Sequence, residues 1–578
     1  MQGKYYTVEK GVLIVISLLK AHGIRKVVAS PGTTNITLVA SMQQDSWFEM
    51  FSAADERSAA YLACGIAAES NEPVVLSCTG ATASRNYMPG LTEAYYRKLP
   101  ILAITSNLGQ DWIGRLLPQI IDRNSIPNDI ALESVFLPFC HDERDERHCE
   151  IMAGRAILAL FSKGGGPAHI NLTTRANCDY SVRELPHIRP IRRYSVHSEL
   201  PDLPEGRIAV FVGAHRIWKQ KEIRALEAFC ESHNAIVYCD QTSGYDGKFR
   251  VPYALIGAQH AKNNNLIKVD VLVHIGTISG DYYTRPDAGE VWRVSEDGAI
   301  CDTFGKLTHV FEMPESVFFE HYSQAPVPTT FLEECREIYD DLLNRIPELP
   351  FSNIWAAQKL HSRIPVGSVI HFGILNSLRA WNFFELPVGV RAACNVGGFG
   401  IDGNVSSLVG ASLVNPEKLY FGVVGDLAFF YDMNVLGNRH IGSNIRILLV
   451  NNGKGTEFRN YDHIGNMFQK EADEFISAAR HYGNKSPVLI KHYAEDLGFE
   501  YLTASDKESF NDAMEIFVNP SMGRKPVLFE IFTDSEEESM ALLLIRTLLK
   551  NDNEKNDKIL SSSILKKGKK ILSKIIKG

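Results

Sequence analysis

The stretch Tyr420-Phe421-Gly422-Val423-Val424-Gly425-Asp426-Leu427-Ala428-Phe429-Phe430 changes character at Gly425. Before it stands a short apolar run, the pattern of a parallel strand covered on both faces. After it, Phe429 to Leu436 reads as a helix. A second apolar run, Ile445 to Val450, ends at Asn451-Asn452, and Asn452 lies 26 residues beyond Asp426. Both motifs therefore fall at the C-terminal ends of strands in one sheet, where open α/β sheets bind ligands. A carboxylate and an amide oxygen are hard ligands, suited to an Mg²⁺ that also holds phosphates. The amides of Leu427 and Ala428, entering a helix, suit a diphosphate. The alternative is a pair of unrelated turns, since Asp and Asn are common at strand ends.

Outward from this core the same alternation continues. Val369–His371, Lys418–Val424 and Pro526–Ile531 are strand-like runs of one α/β unit over about 351–545. Ile208–Gly213, Ala235–Tyr238 and Val269–Ile275 belong to a second, over 186–350 with its linkers. Lys26–Ser30, Pro73–Cys78 and Pro100–Thr105 belong to a third, over 1–185, opened by an apolar helix from Gly11 to Lys20 that Gly23 closes. The stretch Arg183 to Arg207, rich in proline and arginine, reads as a linker. The fold expected is α/β, with three doubly wound parallel-sheet domains.

The 578 residues suffice for several cores. Apolar residues make up 45% and charged residues 22%, the balance of an ordinary soluble chain. A net charge of −8 gives no sign of a nucleic-acid surface. Ten cysteines without a C-x-x-C pair argue against a zinc site or a disulfide framework and suit reduced thiols in a cytoplasmic protein. No run is long enough to span a membrane. The tail, 546–578, is different in kind: after Asp557 it carries seven lysines and no acid. Its isoleucines and leucines from Ile564 to Ile576 fall near one helical face, which suits peripheral contact with an anionic membrane surface. The alternative is a disordered, solvated tail.

A second chemical signal is Ala54-Asp55-Glu56-Arg57-Ser58-Ala59-Ala60. Glu56 follows a strand-like run and opens a helix of small residues, so a carboxylate there sits enclosed at a helix N-terminus. The bland reading is a capping acid.

Together these motifs resemble the thiamine diphosphate-dependent decarboxylase/carboligase superfamily. Within it the chain is most similar to the 2-succinyl-5-enolpyruvyl-6-hydroxy-3-cyclohexene-1-carboxylate (SEPHCHC) synthases of menaquinone biosynthesis, and then to acetolactate-synthase-like enzymes. The resemblance covers residues 8 to about 535. Ser30-Pro31-Gly32, Gly400-Ile401-Asp402-Gly403-Asn404 and Gly425-Asp426-Leu427-Ala428 stand in the family's order. It implies pyrimidine-binding, central and diphosphate-binding domains, and thiamine diphosphate and Mg²⁺ as cofactors. Glu56 would bond the aminopyrimidine of the cofactor, and Ile401 would bend the cofactor from below. Asp426 and Asn452 would bind Mg²⁺ by side chains and Lys454 by its carbonyl. Gly80, Asn86, Ser377, Gly425, Leu427 and Ala428 would line the cofactor, and Gln119 would face substrate. A homodimer or homotetramer with sites at the subunit interface is also implied.

The pattern breaks where the resembling synthases carry arginines for dicarboxylates. Thr34, Asn107, Trp381 and Val396 stand at those positions. Arg379 is nearby, and Lys454, Glu457 and Arg459 are either new pocket residues or solvated loop residues. The leading expectation is therefore a 2-oxo acid decarboxylase or carboligase with a small donor and an uncharged carbonyl acceptor. The second is SEPHCHC synthase itself, using 2-oxoglutarate and isochorismate. The third is a catalytically silent protein on the same fold.

Overall fold

The computed structural model describes residues 5–123, 125–259, 266–281, 283–481 and 486–549. Apart from its first residues the basic tail lies outside them. The chain divides into two compact units, Met1–His197 with Gly298–Val310, and Ser198–Asp297 with Phe311–Gly578.

In the first unit a helix over Lys10–Ala21 is buried without interruption from Gly11 to Leu19, so it lies inside the unit rather than on it. Each of its buried Val, Leu and Ile side chains contributes roughly 1.5–3 kcal/mol. Gly23, in the left-handed region at φ 72°, turns the chain into the first strand. Six strands follow: β1 (Lys26–Ala29), β2 (Glu49–Ser52), β3 (Val74–Cys78), β4 (Ile101–Asn107), β5 (Ser134–Leu137) and β6 (Ala168–Thr173). They pair in parallel in the order β2-β1-β3-β4-β6-β5. The stretch expected as a linker contains one further strand, β7 (Arg192–Ser195), which bonds to β13 (Leu307–Glu312).

The second unit holds β8 (Ile208–Val212), β9 (Ile236–Cys239), β10 (Arg250–Pro252), β11 (Val269–Ile275) and β12 (Ala288–Ser295), ordered β10-β9-β8-β11-β12. It also holds β14 (Val369–Phe372), β15 (Arg391–Cys394), β16 (Tyr420–Gly425), β17 (Ile445–Asn451), β18 (Glu500–Ala504) and β19 (Val527–Phe532). These six form the third sheet in the order β15-β14-β16-β17-β19-β18, all parallel. Counted from its own first strand, this order is that of the first sheet. In both sheets the chain reverses direction beside the first strand, between β1 and β3 and between β14 and β16. Such a switch point opens a crevice beyond the strand ends.

The helix after Gly425 begins earlier than its apolar pattern predicts. It spans Asp426–Asp432, and a 3₁₀ turn over Met433–Gly437 replaces its last expected turn. Its first three residues, Asp426-Leu427-Ala428, are too few to carry a hydrophobic period, which is why periodicity misses them.

The helix Glu56–Ser70 packs on Met88–Arg97 at very close range. A Cβ added at Gly90 would lie 2.4 Å from the Ala60 Cβ and 2.9 Å from its carbonyl carbon. Gly65, on the same helix as Glu56, has nothing within 4 Å of such a Cβ. Gly90→Ala is expected to destabilise the protein by about 1–3 kcal/mol through overpacking. Gly65→Ala is expected to be neutral or stabilising by up to about 1 kcal/mol through helix propensity. Urea unfolding of the two variants checks the pair.

Candidate active site

In the second unit Asp426 stands at the end of β16, about 95% buried. Its Oδ1 accepts from the Leu427 amide at 2.8 Å and its Oδ2 from the Gly453 amide at 2.7 Å. Gly453 supplies that amide from a left-handed turn at φ 75° just beyond β17. Burial pushes the Asp426 carboxyl up to about 7, against the pull of those amide bonds. Beside it the Asn452 Oδ1 is buried with no hydrogen-bond partner. A buried acid with no ion pair among the described residues and an orphaned amide oxygen are together what a hard cation would satisfy.

Neighbouring polar groups fix this arrangement. Asn451 donates to Glu530 Oε1 at 2.7 Å, and the Tyr501 hydroxyl donates to its Oε2 at 2.7 Å. Asp432, at the end of the Asp426 helix, accepts from the Ser406 amide at 2.6 Å and hydroxyl at 2.5 Å. The loop before Ser406 is held by Asn395 Nδ2, which donates to Gly403 O and Ser407 Oγ, and by Asn404 Nδ2, which donates to Ile401 O. Ile401 is half-buried in that loop. Ser377 is buried in the helix Asn376–Asn382 that follows β14.

Two of the cations weighed as pocket residues are committed elsewhere. Lys454 Nζ lies 3.0 Å from Asp473, and Arg459 pairs with the same carboxylate. Arg379 and Glu457, 2.5 Å apart, line a cavity of about 300 Å³ at the C-terminal edge of the third sheet. Asn376, its amide oriented to satisfy both ends, donates to Glu457 Oε2 at 2.7 Å and accepts from the Glu457 amide. Arg546, on the same cavity, pairs with Asp462 and lies over the Tyr461 ring. Glu538 closes the wall; it accepts from the Asn353 amide at 2.9 Å and from Thr533 Oγ1 at 2.7 Å.

In the first unit the capping role falls to Asp55, whose carboxylate accepts from the Ser58 amide at 2.7 Å. Glu56 is the first helical residue, half-buried and not used as the cap. Gly80 follows β3 at the switch point, where a Cβ would meet Ser106 O at 3.2 Å. Asn86 is exposed at the end of the helix Thr82–Asn86. Gln119, held at φ 64°, lines a small cavity with Asn107, Ile121, Arg123, Phe136 and Asn171.

The family described as "Thiamine pyrophosphate enzyme, N-terminal TPP binding domain" matches residues 9–126. A 2-succinyl-5-enolpyruvyl-6-hydroxy-3-cyclohexene-1-carboxylate synthase of Bacteroides fragilis is 30% identical over 571 residues, covering 94% of this chain and all of that one. The synthase of the same name from Phocaeicola vulgatus is 30% identical over 577 residues, covering 95% of this chain and 100% of its own. The chain belongs to the SEPHCHC synthase family. Among solved structures, the thiamine diphosphate-dependent 4-hydroxybenzoylformate decarboxylase of Rhodococcus jostii RHA1 aligns over 91% of this chain and 99% of its own, at 14% identity and a TM-score of 0.39.

Within this family the four substituted positions have different fates. Trp381 is fully buried against Phe372, with ring centroids 5.4 Å apart, so it is core and not pocket. Val396 packs where a Cβ on Gly280 would meet it at 2.7 Å. Thr34 is bound into the unit, 2.6 Å from Thr79 Oγ1 and donating to Ser106 O at 2.9 Å. Asn107 lines a cavity. Sequence reasoning missed Glu530, Glu538 and Arg123, none of which stands in a motif.

Burial raises the Glu538 carboxyl to about 7. The folded chain thus keeps this proton to higher pH than the unfolded chain does, and stability falls as pH rises from the ordinary glutamate range through about 7. Between about pH 5 and about pH 8 the melting temperature of the wild type is expected to fall more than that of Glu538→Gln. Parallel slopes would remove Glu538 from the pH dependence.

Proposed function

We propose that this chain uses thiamine diphosphate and Mg²⁺ to decarboxylate a 2-oxo acid and pass the resulting acyl carbanion to a carbonyl acceptor or a proton. The observation that carries this is the Asp426–Asn452 pair, a buried acid and an orphaned amide oxygen just beyond the ends of two neighbouring strands. Asp426 and Asn452 would hold Mg²⁺ by side chains, and Lys454 would add its carbonyl. Gly425, Leu427, Ala428 and Ser377 would meet the diphosphate. When bound, the cofactor supplies a carbanion-stabilising electron sink. Glu56 would hold a proton at the pyrimidine nitrogen; its carboxylate is available because Asp55 caps the helix. Ile401 would bear on the cofactor from its half-buried loop, with Gly80 and Asn86 beside it and Gln119 toward substrate.

On the acceptor the relatives' name and the cavity point different ways. The name supports the reading ranked second from the sequence, synthesis of 2-succinyl-5-enolpyruvyl-6-hydroxy-3-cyclohexene-1-carboxylate. One observation favours a different acceptor: both guanidinium groups of the cavity, Arg379 and Arg546, are paired with the chain's own carboxylates. A further substrate carboxylate would have to displace Glu457 or Asp462 or go without a charged partner, and an unpaired buried charge is expensive. A pyruvate-sized donor with an uncharged carbonyl acceptor suits such a wall.

We place each site between two copies of the chain. Exposed apolar side chains support assembly: Tyr61 and Leu62 on the Glu56 helix, and Ile464, Met467, Phe468 and Phe475 past the metal loop.

One experiment reads all of this. Glu56→Gln and Asp426→Asn proteins are each expected to be inactive and, when mixed and reassembled, to regain CO₂ release through hybrid sites with both residues intact. The substrates are a panel of 2-oxo acids, with and without aldehyde acceptors and isochorismate. Absence of complementation would place the site within one chain. Fast, selective use of 2-oxoglutarate with isochorismate would settle the acceptor in favour of the relatives' reaction.

A further inference from the structure

Arg123 is only 6% exposed, and its Nη1 is buried without a partner. Among the described residues no hydrogen bond or ion pair to its side chain is formed. The groups around it cannot neutralise it. The Cys78 thiol is pushed up to about 12 by burial and stays protonated. His169, lowered to about 3 by burial, is neutral and engaged by Thr105 Oγ1 at 2.8 Å and Ser134 Oγ at 3.0 Å. Arg85 is a second cation, and its Nη2 donates to Asp122 O at 2.9 Å, which holds the residue before Arg123 in place. Burial lowers Arg123 itself only to about 10, so it remains charged.

A buried guanidinium without a counter-ion costs several kcal/mol, and chains rarely keep one except for a partner from outside. The side chain lines two small cavities, one with Asn107, Gln119 and Asn171 beyond the C-terminal end of β4, the other with Thr105 and His169. Its Cζ lies 3.7 Å from where a Cβ would stand on Gly80, at the switch point. The planar fork of a guanidinium matches a carboxylate bidentately.

We propose that Arg123 anchors a carboxylate of the 2-oxo acid. This rests on the 2-oxo acid chemistry proposed above. Two carboxylates share this chemistry, the one that leaves as CO₂ and a distal one.

The test uses Glu56→Gln holoenzyme, loaded with thiamine diphosphate and Mg²⁺, so that binding is read without turnover. Pyruvate and 2-oxoglutarate are titrated by calorimetry with and without Arg123→Gln. Loss of a charge-assisted hydrogen-bonded pair is expected to weaken binding roughly 10- to 100-fold. An equal loss for both acids assigns Arg123 to the carboxylate next to the carbonyl; a loss for 2-oxoglutarate alone assigns it to the distal one. Arg123→Lys is expected to recover part of the affinity. The melting temperature of ligand-free Arg123→Gln is expected to hold or rise, because an unpaired charge has been removed. Unchanged affinity for both acids would overturn the proposal. So would a lower ligand-free melting temperature with equal affinities, the signature of a purely structural arginine. Wild-type holoenzyme assayed in parallel separates the two readings: no turnover of any 2-oxo acid would count against the chemistry, whereas the Arg123 comparison is decided by binding alone.

Discussion

A buried carboxylate must be held by its neighbours, and Asp426 is held by two amides from different strand ends. That single side chain ties β16 to the turn after β17. The constraint reaches outward from there. Glu530 and Tyr501 fix the last residue of β17, and Asp432 and Ser406 fix the far end of the Asp426 helix against the loop that carries Ile401. Most polar groups of this shell have protein partners. The Asn452 oxygen, which has none, and the elevated Asp426 acid across from it are therefore informative.

The first and third sheets share one strand order, and each places its glycine-bearing turns at the same reversal. Gly80 follows β3 there, and Gly425 ends β16. The charge economy of the two units differs. In the second unit Arg379, Arg459 and Arg546 each pair with an acid of the chain, Glu457, Asp473 and Asp462. In the first, Arg123 has no acid partner among the described residues.

Much of this was legible before any coordinates. Strand runs of Val, Ile and Leu mark their own ends, so Asp426 and Asn452 could be placed at strand termini from the local pattern. Glu56 was legible too, though it took the structure to show that Asp55 does the capping. What the sequence hid depends on long separations. The Arg379–Glu457 contact joins residues 78 apart, and Tyr501 reaches Glu530 across 29. No periodicity encodes such pairs. Trp381 looked like a pocket wall because a motif position was read without its direction; its helix turns it into the core. Arg123 carried no signal at all, since an arginine in a loop reads as solvated until its burial is known.

The central claim is that Asp426 and Asn452 form the metal and diphosphate seat. The most direct measurement is calorimetric binding of thiamine diphosphate with Mg²⁺ present or chelated, for the wild type and Asp426→Asn. The account predicts tight binding that requires Mg²⁺ in the wild type and no Mg²⁺-dependent binding in the variant. Equal, Mg²⁺-independent binding by both proteins would contradict it.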